Sequence, residues 1–161
     1  MSPLQIRTGL LSLLLAAFPA AAVDRMPAHD HHLPAEGPQL NHGQRWQSNA
    51  PLRQGMTAIR EAVIRALHAN SSQPLSAAEA NRLADTIRTQ VDYLVAHCVL
   101  APEADATLHA LLGQLLAGAE ALRANPADEE ALHRIIQALK EYPVYFDHEG
   151  WRSVTSPLPA P

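Results

Sequence analysis

Residues 76–98 read SAAEANRLADTIRTQVDYLVAHC, and this stretch decides the fold. Ser76 with Glu79 three positions on is a capping box: hydroxyl and carboxylate satisfy each other's backbone N–H groups and start a helix. Behind it Ala80, Leu83, Ile87, Val91, Leu94 and Cys98 recur every three or four residues, the period of one face of an α-helix. No segment of the chain alternates apolar and polar residues with period two, so a sheet is not expected.

Working outward, the same period returns three more times. Upstream, Pro51 suits a first helical position because its missing N–H would be unpaired there. Leu52, Met56, Ile59, Val63 and Leu67 then form one stripe. Downstream, Pro102 opens a third segment, with Glu103 and Asp105 placed to favour the positive end of the helix dipole. Its inner face runs Leu108, Leu111, Leu112, Leu115, Leu116, Ala119 and Leu122. A fourth segment is expected from Asn125-Pro126, with Leu132, Ile135, Ile136, Leu139 and Tyr142 as its stripe, stopping or kinking at Pro143. Four amphipathic helices joined by short turns run antiparallel, so the expected fold is all-α, an up-down-up-down four-helix bundle over residues 50–151.

The flanks carry other signals. Arg7, the apolar run LLSLLLAAFPAAA and the small residues Ala20 to Ala22 have the layout of a secretory signal peptide over residues 1–22, and the run is too short to span a bilayer. That layout predicts export, in bacteria to the periplasm, with no membrane insertion once the signal is cleaved. Residues 23–49 are broken by Pro27, Pro34 and Pro38 and hold HDHH at positions 29–32, an irregular His-rich strap. Residues 152–161 form a proline-rich tail expected to be disordered.

A formal net charge of −4, spread evenly, offers no basic patch for nucleic acid. The 9 histidines stand out beside 1 cysteine and few aromatics. In an oxidising compartment a single cysteine is buried and inert, joined to another chain, or held by a metal.

The up-down order gives that cysteine neighbours. The first helix starts, the second ends, the third starts and the fourth ends at one pole, which gathers Met56, His97, Cys98, His109, Tyr142 and His148. His68 and His133 belong to the other pole. Thioether, thiolate and imidazole are soft and borderline donors that suit copper better than magnesium or calcium. Met56, Cys98 and His109 are therefore the candidate metal ligands, with His97 as a fourth donor or supporting partner. His29, His31 and His32 are a candidate low-affinity arm that gathers metal. Taken singly each residue has a structural reading: methionine fills cores, a buried cysteine is a small hydrophobe, and a histidine late in a helix answers the dipole. The rival function is then a metal-free helical module that docks an envelope protein. A b-type haem carrier is a third reading, favoured by Met56 early in the first helix but lacking a histidine late in the fourth. No nucleophile elbow, phosphate loop or inward carboxylate pair is present, so no catalytic residues are expected and the chain is not read as an enzyme.

The residues Trp46, Pro51-Leu52-Arg53, Gly55-Met56, Cys98, Leu100, Pro102 to Asp105, Leu108-His109 and the ending Tyr142-Pro143, Tyr145 to His148 and Trp151 resemble a family of small exported helical proteins of proteobacteria, sometimes labelled DnrO-like. That resemblance implies an exported helical bundle and carries no activity with it.

Overall fold

The computed structural model describes residues 37–69 and 73–154. The expected signal peptide, the arm at His29, His31 and His32, and residues 155–161 of the tail lie outside the described residues. Four helices account for most of what is described: α1 Ala50–Ala69, α2 Ala77–His97, α3 Pro102–Ala124 and α4 Glu129–Tyr145. Two short strands, β1 Trp46–Gln47 and β2 Phe146–Asp147, flank the bundle and pair in parallel.

Each helix start has a local cause. Asn49 caps α1 by accepting from the N–H of Leu52 at 2.9 Å. Ser76 and Glu79 form the expected capping box on α2. At α3 Pro102 takes the first turn with no side-chain cap. At α4 the cap is Asp128, which accepts from Ala131 N–H at 3.0 Å, and not Asn125 as the sequence suggested. Asn125 instead closes α3 and folds the turn, its side chain accepting from Ala127 N–H at 3.2 Å.

Side chains between neighbouring helices prove the antiparallel order. Gly55 early in α1 lies against Leu94 late in α2. Arg88 and Arg123 pair with Glu120 and Asp85, tying α2 to α3 in opposite directions. Gly118 late in α3 meets Ala131 and Ile135 early in α4. The chain is thus a four-helix bundle, in which consecutive helices make the extensive interfaces. Leu52, Met56, Ile59, Ile87, Leu94, Leu111, Leu115, Ile135 and Tyr142 are fully buried in one core.

Two expectations need correction. The helix does not stop at Pro143: α4 runs on to Tyr145, because the proline sits in the last turn, where few hydrogen bonds follow it. The tail is also not free from residue 152. Arg60 of α1, itself buried, donates from Nη2 to the Ser153 carbonyl at 3.0 Å and from Nε to that of Arg152. Val154 is buried in the same core cluster. The chain beyond α4 therefore folds back onto α1.

Candidate functional site

The pole that the topology assembles is built around Asn49. Its carboxamide oxygen accepts from Leu52 N–H and lies 3.5 Å from Cys98 Sγ, while its Nδ2 donates to the Val99 carbonyl at 3.0 Å. One side chain thereby fastens the start of α1 to the end of α2. Cys98 is the C-cap of α2 and is half-buried; burial pushes its thiol pKa up, the Asn49 bond opposes this, and Asp105 adds to the rise. Such a thiol stays protonated at neutral pH.

Below it lies an aromatic cluster. Tyr142 stacks on Phe146 at 5.4 Å between centroids, and Trp151 packs against Tyr142 at 4.7 Å and His148 at 5.1 Å. The Tyr142 hydroxyl is 3.0 Å from His148 Nδ1. Burial raises the Tyr142 pKa well above its ordinary value, and burial followed by the charge on Arg53 lowers that of His148. Tyr142 therefore donates, and a neutral imidazole accepts. Arg53 is held by the Ser48 carbonyl at 2.6 Å, and Ser48 Oγ donates to the Asp147 carbonyl at 2.5 Å. No polar side-chain atom buried among the described residues lacks a partner.

The expected ligands separate in space by chemistry. Met56 is fully buried in the core. His97 is exposed, stacked on Tyr93 at 4.6 Å with its Nδ1 2.9 Å from the Tyr93 carbonyl. His109 is exposed too, its Nδ1 3.0 Å from the Asp105 carbonyl and 3.3 Å from the Asp105 carboxylate. Each imidazole has turned back along its own helix, as a side chain does when a carbonyl four residues earlier is within reach. Among the described residues no three His, Cys, Asp or Glu side chains come together as a metal site, so Cys98, His97 and His109 do not form one.

A different feature emerges beside α3, one the sequence reading did not anticipate. The strap folds onto that helix: Thr107 Oγ1 accepts from Gln39 N–H at 3.2 Å, and Trp46 Nε1 donates to the Gln39 carbonyl at 2.7 Å. A two-residue turn at His42 and Gly43, both with positive φ, is closed by hydrogen bonds between Asn41 and Gln44. Between strap and helix an open groove of about 810 Å³ remains. Its walls are apolar at Leu40, Trp46, Pro102, Ala106 and Ala110. Glu103, Asp105, His42 and His109 also line it and supply its charge and hydrogen-bonding groups. The one signal in the sequence was Trp46, a large aromatic in an otherwise irregular stretch.

No family profile, curated protein or solved structure matches this chain.

Proposed function

We propose that this protein is an exported, non-catalytic helical module that holds an extended polypeptide segment of a partner in the groove between its strap and α3. The observation that carries this reading is the groove's composition: an indole, a leucine and small apolar residues line it together with two carboxylates. Such a surface suits a segment with alternating apolar and basic side chains, the mode in which extended or polyproline-type peptides meet aromatic-lined grooves. The Cys98 pole serves in this reading as the clamp that keeps the bundle end rigid. A buried thioether, a protonated thiol and a hydrogen-bonded Tyr142–His148 pair supply packing and closed hydrogen bonds there.

Titrating the protein with short apolar-basic peptides, followed by amide chemical shifts, tests the proposal. Shifts should gather at Leu40, Trp46, Ala106, His109 and Ala110 and weaken with salt, since surface charges are screened within about 10 Å at 0.1 M ionic strength. Acidic peptides of equal apolar content should leave those amides in place. Equal responses to both, or none, reject the reading.

A second reading, transition-metal binding with copper favoured, keeps one specific observation. His109 has its Nδ1 held by a carbonyl and a carboxylate, which leaves Nε2 as the outward donor, the tautomer-fixing arrangement that metal-bound histidines use. His42 on the strap lines the same groove as His109, whereas Cys98 and Met56 do not. The b-type haem reading draws no support from the pole, where Tyr142, Phe146 and Trp151 pack against one another around Met56's end of the core.

A further inference from the structure

We infer that His148 is an acid-released pin for the groove: while its imidazole is neutral it keeps the Trp46 wall in place, and its protonation lets that wall go. This inference rests on the groove reading above and adds the regulation of that site. The link runs through Asp147, the residue before His148. Trp46 and Gln47 of β1 pair in parallel with Phe146 and Asp147 of β2. The Asp147 carbonyl accepts from Ser48 N–H at 3.3 Å and from Ser48 Oγ at 2.5 Å. Its carboxylate takes Arg45 at 2.9 Å and Gln47 Nε2 at 3.4 Å. Strap residues 45, 47 and 48 thus all hold to one residue, and Trp46, which walls the groove, sits among them. The strap's other attachment is at Gln39, to Thr107 and to the Trp46 indole itself. Once Asp147 shifts, the Trp46 backbone has lost its support.

His148 decides where Asp147 lies. Its side chain is buried, edge-on to Tyr142 at 5.7 Å and covered by Trp151. The Tyr142 hydroxyl of α4 donates to its Nδ1, a bond that only the neutral ring can accept. Arg53 of α1 acts on the imidazole with a like charge, and Cys98 at the end of α2, a protonated thiol, acts on the Tyr142 hydroxyl. On its own segment Asp147 is taken by Arg45, and Glu149 is exposed. A protonated ring therefore loses its hydrogen bond and places a cation in an aromatic cluster beside a guanidinium, with no carboxylate turned to it. Glu149 and Gly150, which follow it, are both exposed, so the ring leaves the cluster with little else to unpack. Asp147 moves with it and β1 parts from β2, a local charge change read out at a distance as in other histidine switches.

The test is a pH titration of the isotope-labelled protein, followed at the Trp46 indole N–H, the Ser48 amide and the His148 ring. The expected result is one shared transition with its midpoint below about pH 6.5, the ordinary imidazole value, in which the indole signal shifts and Ser48 loses its exchange protection. His148→Gln offers Tyr142 an acceptor that does not titrate, and the transition should be lost. Tyr142→Phe keeps the ring packing but removes the donor that favours the neutral imidazole, so the midpoint should move to higher pH. A His42→Gln, His109→Gln variant removes the groove's own imidazoles and should keep the Trp46 transition. The inference is overturned if the Trp46 indole stays in place while His148 protonates, or if it shifts unchanged in His148→Gln. Apolar-basic peptides added at about pH 7.5, above the transition, separate the two proposals. Groove amides that shift with peptide while Trp46 shows no acid transition sink only the pin; a Trp46 transition without any peptide response sinks the groove reading and leaves the release of Trp46 standing.

Discussion

At the scale of single residues the pole is governed by Asn49, which does three jobs with one carboxamide: it caps α1, holds the Val99 carbonyl and meets the Cys98 thiol. Asn49→Ala removes all three at once. The loss of the cap costs about 1 kcal/mol, and water takes over the exposed Val99 carbonyl, so urea unfolding should show a decrease of about 1 kcal/mol. An unchanged midpoint would mean the clamp is ornamental. His148 gives the pole a pH dependence whose sign follows from its lowered pKa. Unfolded, the imidazole protonates near its ordinary value; folded, it does so only at lower pH. Between the two the unfolded chain binds more protons, so the contribution to stability is complete above about pH 6.5 and declines as the pH falls through that window. Thermal midpoints recorded from about pH 7.5 down to about pH 5 should fall more in the wild type than in His148→Gln. Sequence position brought His97 and His109 to the correct pole but left their direction open. Both sit at the edge of an apolar stripe, where a ring can lean inward or bond the carbonyl four residues back, and no spacing rule distinguishes these.

At the scale of elements, three helix starts were legible because capping is a local event. Pro51, the Ser76–Glu79 box and Pro102 each act within one turn. Asn125 and Asp128 are both good capping residues, and the choice between them depends on how far the turn must travel to bring α4 against α3, which is a tertiary matter. Two glycines in α3 test how closely that pairing is set. A Cβ at Gly118 would stand 2.6 Å from Ile135 Cγ1 and 2.9 Å from the Ala131 carbonyl oxygen, whereas a Cβ at Gly113 meets nothing within 4 Å. Alanine is the better helix former by about 1 kcal/mol in both places. Gly113→Ala should therefore raise stability by up to that amount. Gly118→Ala should lower it, because backbone cannot step aside as a flexible side chain can. Thermal midpoints moving in the same direction for both would contradict the close α3–α4 contact.

At the scale of the whole molecule, the bundle was legible from four stripes and three short turns, but its closure was not. Period and capping say which face of a helix is apolar; they are silent on segments that have no period. The strap and the tail are such segments, and they complete the fold. Trp46 and Gln47 pair with Phe146 and Asp147, and the residues after Trp151 lie on α1 under the grip of Arg60. Reading residues 152 onward as disordered followed from their proline content, which says nothing about a guanidinium 92 residues earlier that donates to two carbonyls. Arg60 is buried, and desolvation followed by the Arg152 charge lowers its pKa, so the site holds a cation at some cost that the two carbonyls offset. Arg60→Met keeps the apolar stem and deletes the donors. It should speed hydrogen exchange at Trp151 to Val154 while leaving the α2–α3 interface protected, and lower stability by about 2 kcal/mol, since hydrogen bonds to charged groups contribute roughly 1.5–3 kcal/mol each before the desolvation of the guanidinium is recovered. Arg60→Lys separates charge from geometry. A single ammonium cannot reproduce a fork reaching two successive carbonyls, so exchange in the tail should resemble that of Arg60→Met. Full protection in the lysine variant would show that a positive charge near α1 suffices and that the paired hydrogen bonds do not hold the tail.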